Sequence, residues 1–153
     1  MASTTNATNP LIAQGTLNRL RGSVVWTSLP VLNVTAPYLN KEGIRLALDG
    51  EATVFIPTIT GAVTSPEPYQ MITLTANVLK TNGLAAQYQA QMQASTLLGN
   101  GTVITDTSAL PAFPVVNCAI EGVRELSFAG EDAGFAVVMR GYWIVNNDLW
   151  DLT

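Results

Sequence analysis

The sequence predicts a mainly β protein with one α-helix. Three observations carry that reading. Residues 69–79 alternate strictly, with Ile72, Leu74, Ala76 and Val78 on one face and Met71, Thr73, Thr75 and Asn77 on the other. The period then switches to four at Leu84, Tyr88 and Met92. Elsewhere, short apolar runs are divided by Gly, Pro and Asn turn signals.

Residues 1–13 read as a flexible arm, small and polar, with Pro10 and no charge before Arg19. Residues 14–153 read as one domain, since domains commonly run about 100–200 residues. Residues 16–26 are strand-like: Leu20, Val24 and Trp26 share one face, and Arg19, Arg21 and Ser23 the other. Residues 28–42 hold Pro30 and Pro37 and lack a long period, which predicts an extended loop with at most a short strand at 32–35. Residues 43–48 alternate again, and Ile44, Leu46 and Leu48 are expected to face the core. Asp49-Gly50 signals a hairpin, with 52–56 as the returning strand stopped by Pro57. Residues 57–68, with Gly61, Pro66 and Pro68, read as a second loop. The helix is expected over about 82–98, capped by Asn82 and ended by Gly99. Asn100-Gly101 signals another hairpin before a short strand at 102–104. Residues 115–128 form a strand whose phase shifts at Gly122-Val123, the mark of a bulge. After a turn at 130–134, residues 135–145 make the last strand. It is apolar on both faces, interrupted by Arg140, so one face calls for cover beyond the core: the helix or a neighbouring subunit.

Charge is the unusual feature. Charged residues are 12% of the 153, against about 25% in ordinary soluble domains. The hydrophobic fraction is 48%. A lone subunit would lack the mixed surface charge on which solubility leans, so other subunits are expected to bury much of the surface. The helical region reinforces this. Residues 81–105 contain no charge, and the helix offers Gln87, Gln89, Gln91 and Gln93 where an exposed helix carries Lys and Glu. Such a face can lie against protein without burying a charge. The net charge of −4 argues against a nucleic-acid-binding domain. Residues 1–13 show no targeting pattern, and no apolar run is long enough to span a bilayer.

The chemistry of catalysis is missing. There is no histidine, which removes the commonest general base and metal ligand. Cys118 is the one cysteine, so neither an intrachain disulfide nor a thiolate metal cluster is expected. Glu131 and Asp132 sit between turn glycines and read as a solvated turn. The sequence therefore predicts no enzyme, no catalytic residue, no metal and no cofactor. Arg140 is the one charge inside a strand that looks deliberate. It reads either as a solvated strand end or as an interface salt bridge, with Glu121 and Glu125 as candidate partners.

Three segments resemble tail tube proteins of contractile-tailed bacteriophages: residues 9–20 (NPLIAQGTLNRL), 64–70 (TSPEPYQ) and 121–128 (EGVRELSF). The resemblance runs over nearly the whole chain. It implies the fold of contractile injection tubes: two packed antiparallel sheets forming a barrel-like sandwich with one flanking helix. It further implies hexameric rings that stack into a hollow tube in the virion tail. The implied partners are further copies of the chain, then sheath, baseplate and tail terminator proteins, with the tape measure protein and double-stranded DNA passing through the lumen.

On that reading the arm and the two Pro-containing loops are the expected axial connectors. The expected inter-subunit residues are Pro10, Leu11, Ile12, Leu32, Val34, Tyr38, Arg140 and Tyr142. The expected lumen residues are Arg45, Asp49, Glu51, Glu67, Thr73, Thr75 and Asn77, making a polar to acidic channel wall. Duplex DNA carries one charge per about 1.7 Å of axis, and a basic wall would hold it. A β-sandwich module that binds carbohydrate or protein is the competing class, and it should display clustered exposed aromatics. A tube initiator or a secretion-system tube protein is the nearest alternative within the structural class.

Overall fold

The computed structural model describes residues 20–81, 83–107, 110–124 and 126–150. The expectations placed on the arm, Arg19, Asn82 and Glu125 lie outside them. The chain is mainly β, with strands β1 (Gly22–Trp26), β2 (Leu39–Asp49), β3 (Thr53–Pro57), β4 (Ala62–Pro66), β5 (Tyr69–Leu79), β6 (Leu97–Thr105), β7 (Phe113–Val123) and β8 (Gly134–Ile144). Helix α1 (Gly83–Ala94) lies between β5 and β6, and a single turn, α2 (Asn147–Trp150), follows β8. Six strands form one antiparallel sheet in the order β1-β6-β7-β8-β5-β2, and β3 and β4 form a second, two-stranded sheet.

The large sheet curls into a half-barrel. Its two edge strands approach without pairing: a Cβ on Gly22 in β1 would lie 3.6 Å from Ile44 Cδ1 in β2. Every second residue of β5 points into the curl, and Ile72, Leu74, Ala76 and Val78 are fully buried there. Phe135, Val137 and Met139 of β8 join them, with Val24 and Trp26 of β1 opposite. Helix α1 covers the concave side with Leu84, Ala85 and Tyr88. It does not reach the convex face of β8, where neighbouring side chains of the sheet alone bury Val138 and leave Ala136, Tyr142 and Ile144 half-buried.

Tyr88 ties the helix to the sheet. Its hydroxyl donates to Leu32 O (2.7 Å) and accepts from Trp26 Nε1 (3.1 Å), so the deepest polar atoms in the core are satisfied. Burial drives the Tyr88 pKa up from 10.0 to about 12, against a smaller downward pull from the Trp26 hydrogen bond. Burial likewise drives Cys118 up from 9.0 to about 11. Both groups are acids held protonated in the fold. Above pH 9 the unfolded chain binds fewer protons than the native state, so stability falls as pH rises through 9–12. The Tyr88 shift is worth on the order of 3 kcal/mol once the pH passes its folded value, and the Cys118 shift less. The urea midpoint should drop steadily above pH 9, and less in Cys118→Ser. A flat midpoint to pH 11 would contradict this description of the core.

Several local expectations are corrected. Strand β2 begins at Leu39, four residues before the predicted start, with a register break between Leu39 and Ile44. Its partner is β5, not the segment after Asp49-Gly50. Gly50 does take the positive φ of a turn (83°), but the chain leaves the sheet there. The segment read as a second loop contains β4, paired with β3 from Thr53↔Pro66 to Pro57↔Ala62. Both prolines lie at the ends of a free hairpin, where a missing N–H breaks no ladder. Leu48 shares the core-facing side of β2 with Ile44 and Leu46 but lies 48% exposed, beyond the curl's cover. Helix α1 stops at Ala94 rather than near 98, because Leu97 and Leu98 already belong to β6. Gly99-Asn100-Gly101 is a bulged stretch inside β6, not a hairpin. There Gly101 is required, since a Cβ would meet the Trp26 ring at 2.5 Å. Strand β7 ends at Val123, short of the predicted 128. The register shift expected at Gly122 is present, between Ile120 and Gly122.

Candidate assembly surfaces

Three surfaces stand out: the convex face of the large sheet, the β3–β4 hairpin, and a cleft between the barrel's open edges.

The convex face is built by alternation. Register sets Arg45 beside Thr75, Thr73 beside Arg140, and Asn77 beside Ala136. Arg140 Nη2 lies 3.5 Å from Asp49 Oδ2, and its Nε lies 3.6 Å from Glu121 Oε2. Thr73 donates its hydroxyl to the same Asp49 oxygen. The carboxylate expected across an interface is therefore supplied within the chain. These groups are about half exposed, so the ion pairs contribute little to stability. Asn77 Nδ2 donates to Gly43 O (3.0 Å), holding the irregular start of β2. Tyr142 packs on Tyr69 with ring centroids 5.4 Å apart.

Sequence reasoning missed Arg124 on this face. Arg124 and Arg45 line one shallow depression of about 490 Å³ with Thr73 and Thr75. Neither makes an ion pair among the described residues. Three guanidiniums thus meet two carboxylates, so this face is mixed in charge where a polar to acidic one was expected. Arg124 sits just past the bulge of β7, and a phase shift there hides its direction from simple alternation. Glu51 and Glu67 lie at the base of the hairpin. Glu67 N donates to Ala52 O (2.9 Å), and Glu67 O accepts from Asn146 Nδ2 (2.8 Å).

The hairpin stands out from the body. Phe55 is 63% exposed, Val63 55%, and Ile59 at the turn completely so. Val54 and Ile56 are exposed too, so apolar side chains project from both faces. No charged residue occurs in 52–66. The available signal was a neutral apolar run, Val54-Phe55-Ile56-Pro57, continuing to Ile59 without a core-facing period.

Two expected inter-subunit residues are corrected. Leu32 and Val34 are 1% and 0% exposed. A short 3₁₀ turn (Pro30–Leu32) and a bridge between Val24 and Val34 fold them into this chain's own core. Tyr38 is exposed, at the end of a second 3₁₀ turn (Ala36–Tyr38). Pro10, Leu11 and Ile12 lie outside the described residues.

The cleft lies where the edge strands fail to pair. It encloses about 1020 Å³ and has Leu39, Ile44, Leu46, Val103 and Phe113 among its lining, with Leu20, Ile104 and Leu110 exposed around it. Arg21 at its lip is ion-paired to Asp106 (2.7 Å), and the Arg21 N–H and guanidinium hold that carboxyl below its usual range. A small-molecule site places a few convergent polar groups on an apolar wall. Here the polar lining residues lie outward: Arg21, Lys41 and Glu42 are exposed, and Asn40 and Thr105 are half-buried. Among the described residues no three of Cys, Asp and Glu are grouped to hold a metal ion, and no helix is long and apolar enough to cross a membrane. No protein-family model matches the chain, and no curated protein matches it.

Proposed function

We propose that the protein is a structural subunit whose copies form rings, six to a ring, that stack into the tube of a contractile phage tail. The observation that carries this reading is the β3–β4 hairpin. It holds a neutral, two-sided apolar surface in water, and single two-stranded hairpins are marginal without packing. Apolar patches of this kind mark interaction sites. The outer edge of β2, which pairs with β5 alone, supports the same reading, since unpaired edges invite further protein. Contacts of the head-to-tail type close into rings by rotation and continue by stacking. Residues 1–13, the segment 28–42 and the hairpin are the axial connectors in this proposal. The subunit has no catalytic role and needs no cofactor. Sheath, baseplate, terminator and tape measure proteins are its partners in the virion tail.

The convex face lines the channel, through Arg45, Thr73, Thr75 and Asn77. Arg140 is already engaged by Asp49 and Glu121, so hydroxyls, amides and mixed charges meet the duplex rather than a continuous basic wall. Cysteines at Thr73 and Thr75 on a Cys118→Ser background test both parts. A bulky thiol reagent should label them in dilute subunits and be excluded from assembled particles. Equal labelling in assembled particles would reject the channel assignment. Failure to assemble at any concentration would reject the tube.

A further inference from the structure

The hairpin and the cleft are a knob and a hole on one chain. We propose that the β3–β4 tip of one copy seats in the β1–β2 cleft of the next, a contact that rests on the tube reading and names its receiving surface.

The knob is well defined. Thr58 N donates to Gly61 O (2.8 Å), closing a turn that aims Ile59 outward with its whole surface exposed. Phe55, Ile56 and Val63 stand behind it. The base is anchored: Asn146 Nδ2 donates to Ala52 O (3.1 Å) and to Glu67 O, and Trp150 Nε1 donates to Pro66 O (3.1 Å). The hairpin is thus held at its root and bare at its tip. That is the arrangement of a projecting contact element rather than of a strand pair awaiting its own core.

The hole matches in chemistry. Its lining is mostly aliphatic and aromatic, with Lys41 and Glu42 at the β2 rim and Arg21 neutralised by Asp106. The tip carries no charge of its own, so seating it brings no new charge into the cleft, and Lys41 and Glu42 at the rim stay exposed, while apolar atoms removed from water favour the contact. The cleft runs along the part of β2 that has no second neighbour, so backbone groups are open to the incoming chain as well. Knob and hole are different surfaces of one molecule, so the contact is head-to-tail and each copy can both give and receive.

The test joins Ile59→Cys to Ile104→Cys in one chain lacking Cys118 (Cys118→Ser). Both positions are exposed, and thermal melting checks that the fold survives. A short bis-maleimide added to assembled protein should convert the monomer band into a ladder of covalent multimers. Each single-cysteine variant should give no ladder, and an equal mixture of the two should stop at dimers. Deleting residues 2–13 should leave the linkage in place. Particles that form normally with no 59–104 linkage would overturn the inference and leave the tube reading intact. Linkage of Ile104→Cys to Ile12→Cys instead would give the cleft to the arm and also overturn it. Absence of any particles from the unaltered chain would reject the tube reading itself.

Discussion

Replacing Trp26 with alanine is expected to cost about 3–5 kcal/mol, the range for deleting a large buried aromatic. Trp26 is 1% exposed, and its ring lies against the bare backbone of Gly101. Its backbone N–H donates to Asn33 Oδ1 (2.7 Å), and its indole donates to the Tyr88 hydroxyl. The side chain therefore joins β1 to β6 and α1, while the backbone N–H, which alanine keeps, ties β1 to the segment after the first 3₁₀ turn. The substitution empties the middle of the curl and removes the donor that Tyr88 accepts, while Tyr88 keeps its bond to Leu32. Domains of this size have only about 5–15 kcal/mol in total, so the midpoint of urea unfolding should fall by a large fraction with little change in slope. A loss below 1 kcal/mol would mean that this ring does not organise the core.

The second large effect is on assembly and leaves the fold alone. Phe55→Asp with Ile59→Asp puts two carboxylates on the exposed hairpin. Ile59 is fully exposed and Phe55 mostly so, so unfolding free energy should change by no more than about 1 kcal/mol. In the assembled state each carboxylate would enter an apolar contact without a partner, at a cost of several kcal/mol per ion. That is on the order of a whole interface, repeated at every subunit, so particles should disappear while the monomer becomes more soluble. The pair Phe55→Leu with Ile59→Val should assemble. Particles formed normally by the aspartate variant would remove the hairpin from the assembly.

These effects also mark what the residues alone made legible. The alternation in 69–79 identified β5 and both of its faces, because one face is fully buried and the other is not. The spacing of Leu84, Tyr88 and Met92 identified α1 because its apolar residues all meet the same sheet. Pairing was not legible. Asp49-Gly50 is a real turn, but a turn signal does not say which strand comes back, and the partner of β2 lies a whole hairpin later in the chain. The hairpin was hidden by Pro57, Gly61 and Pro66, which interrupt a strand only where its ladder continues; here it ends. Leu32 and Val34 looked like connector residues because prolines flank them, yet a single bridge to Val24 draws them into the core. Arg140 was legible as a deliberate charge. Its partner Asp49 was not, since strand order alone brings them together.

The proposed function requires copies of the chain to build a hollow tube. Negative-stain electron microscopy of the purified full-length protein at rising concentration tests it most directly. The account predicts ring-shaped particles with a stain-filled centre and, at higher concentration, stacks of constant width. Uniform small particles of monomer size at every concentration, with no ring and no stack, would contradict it.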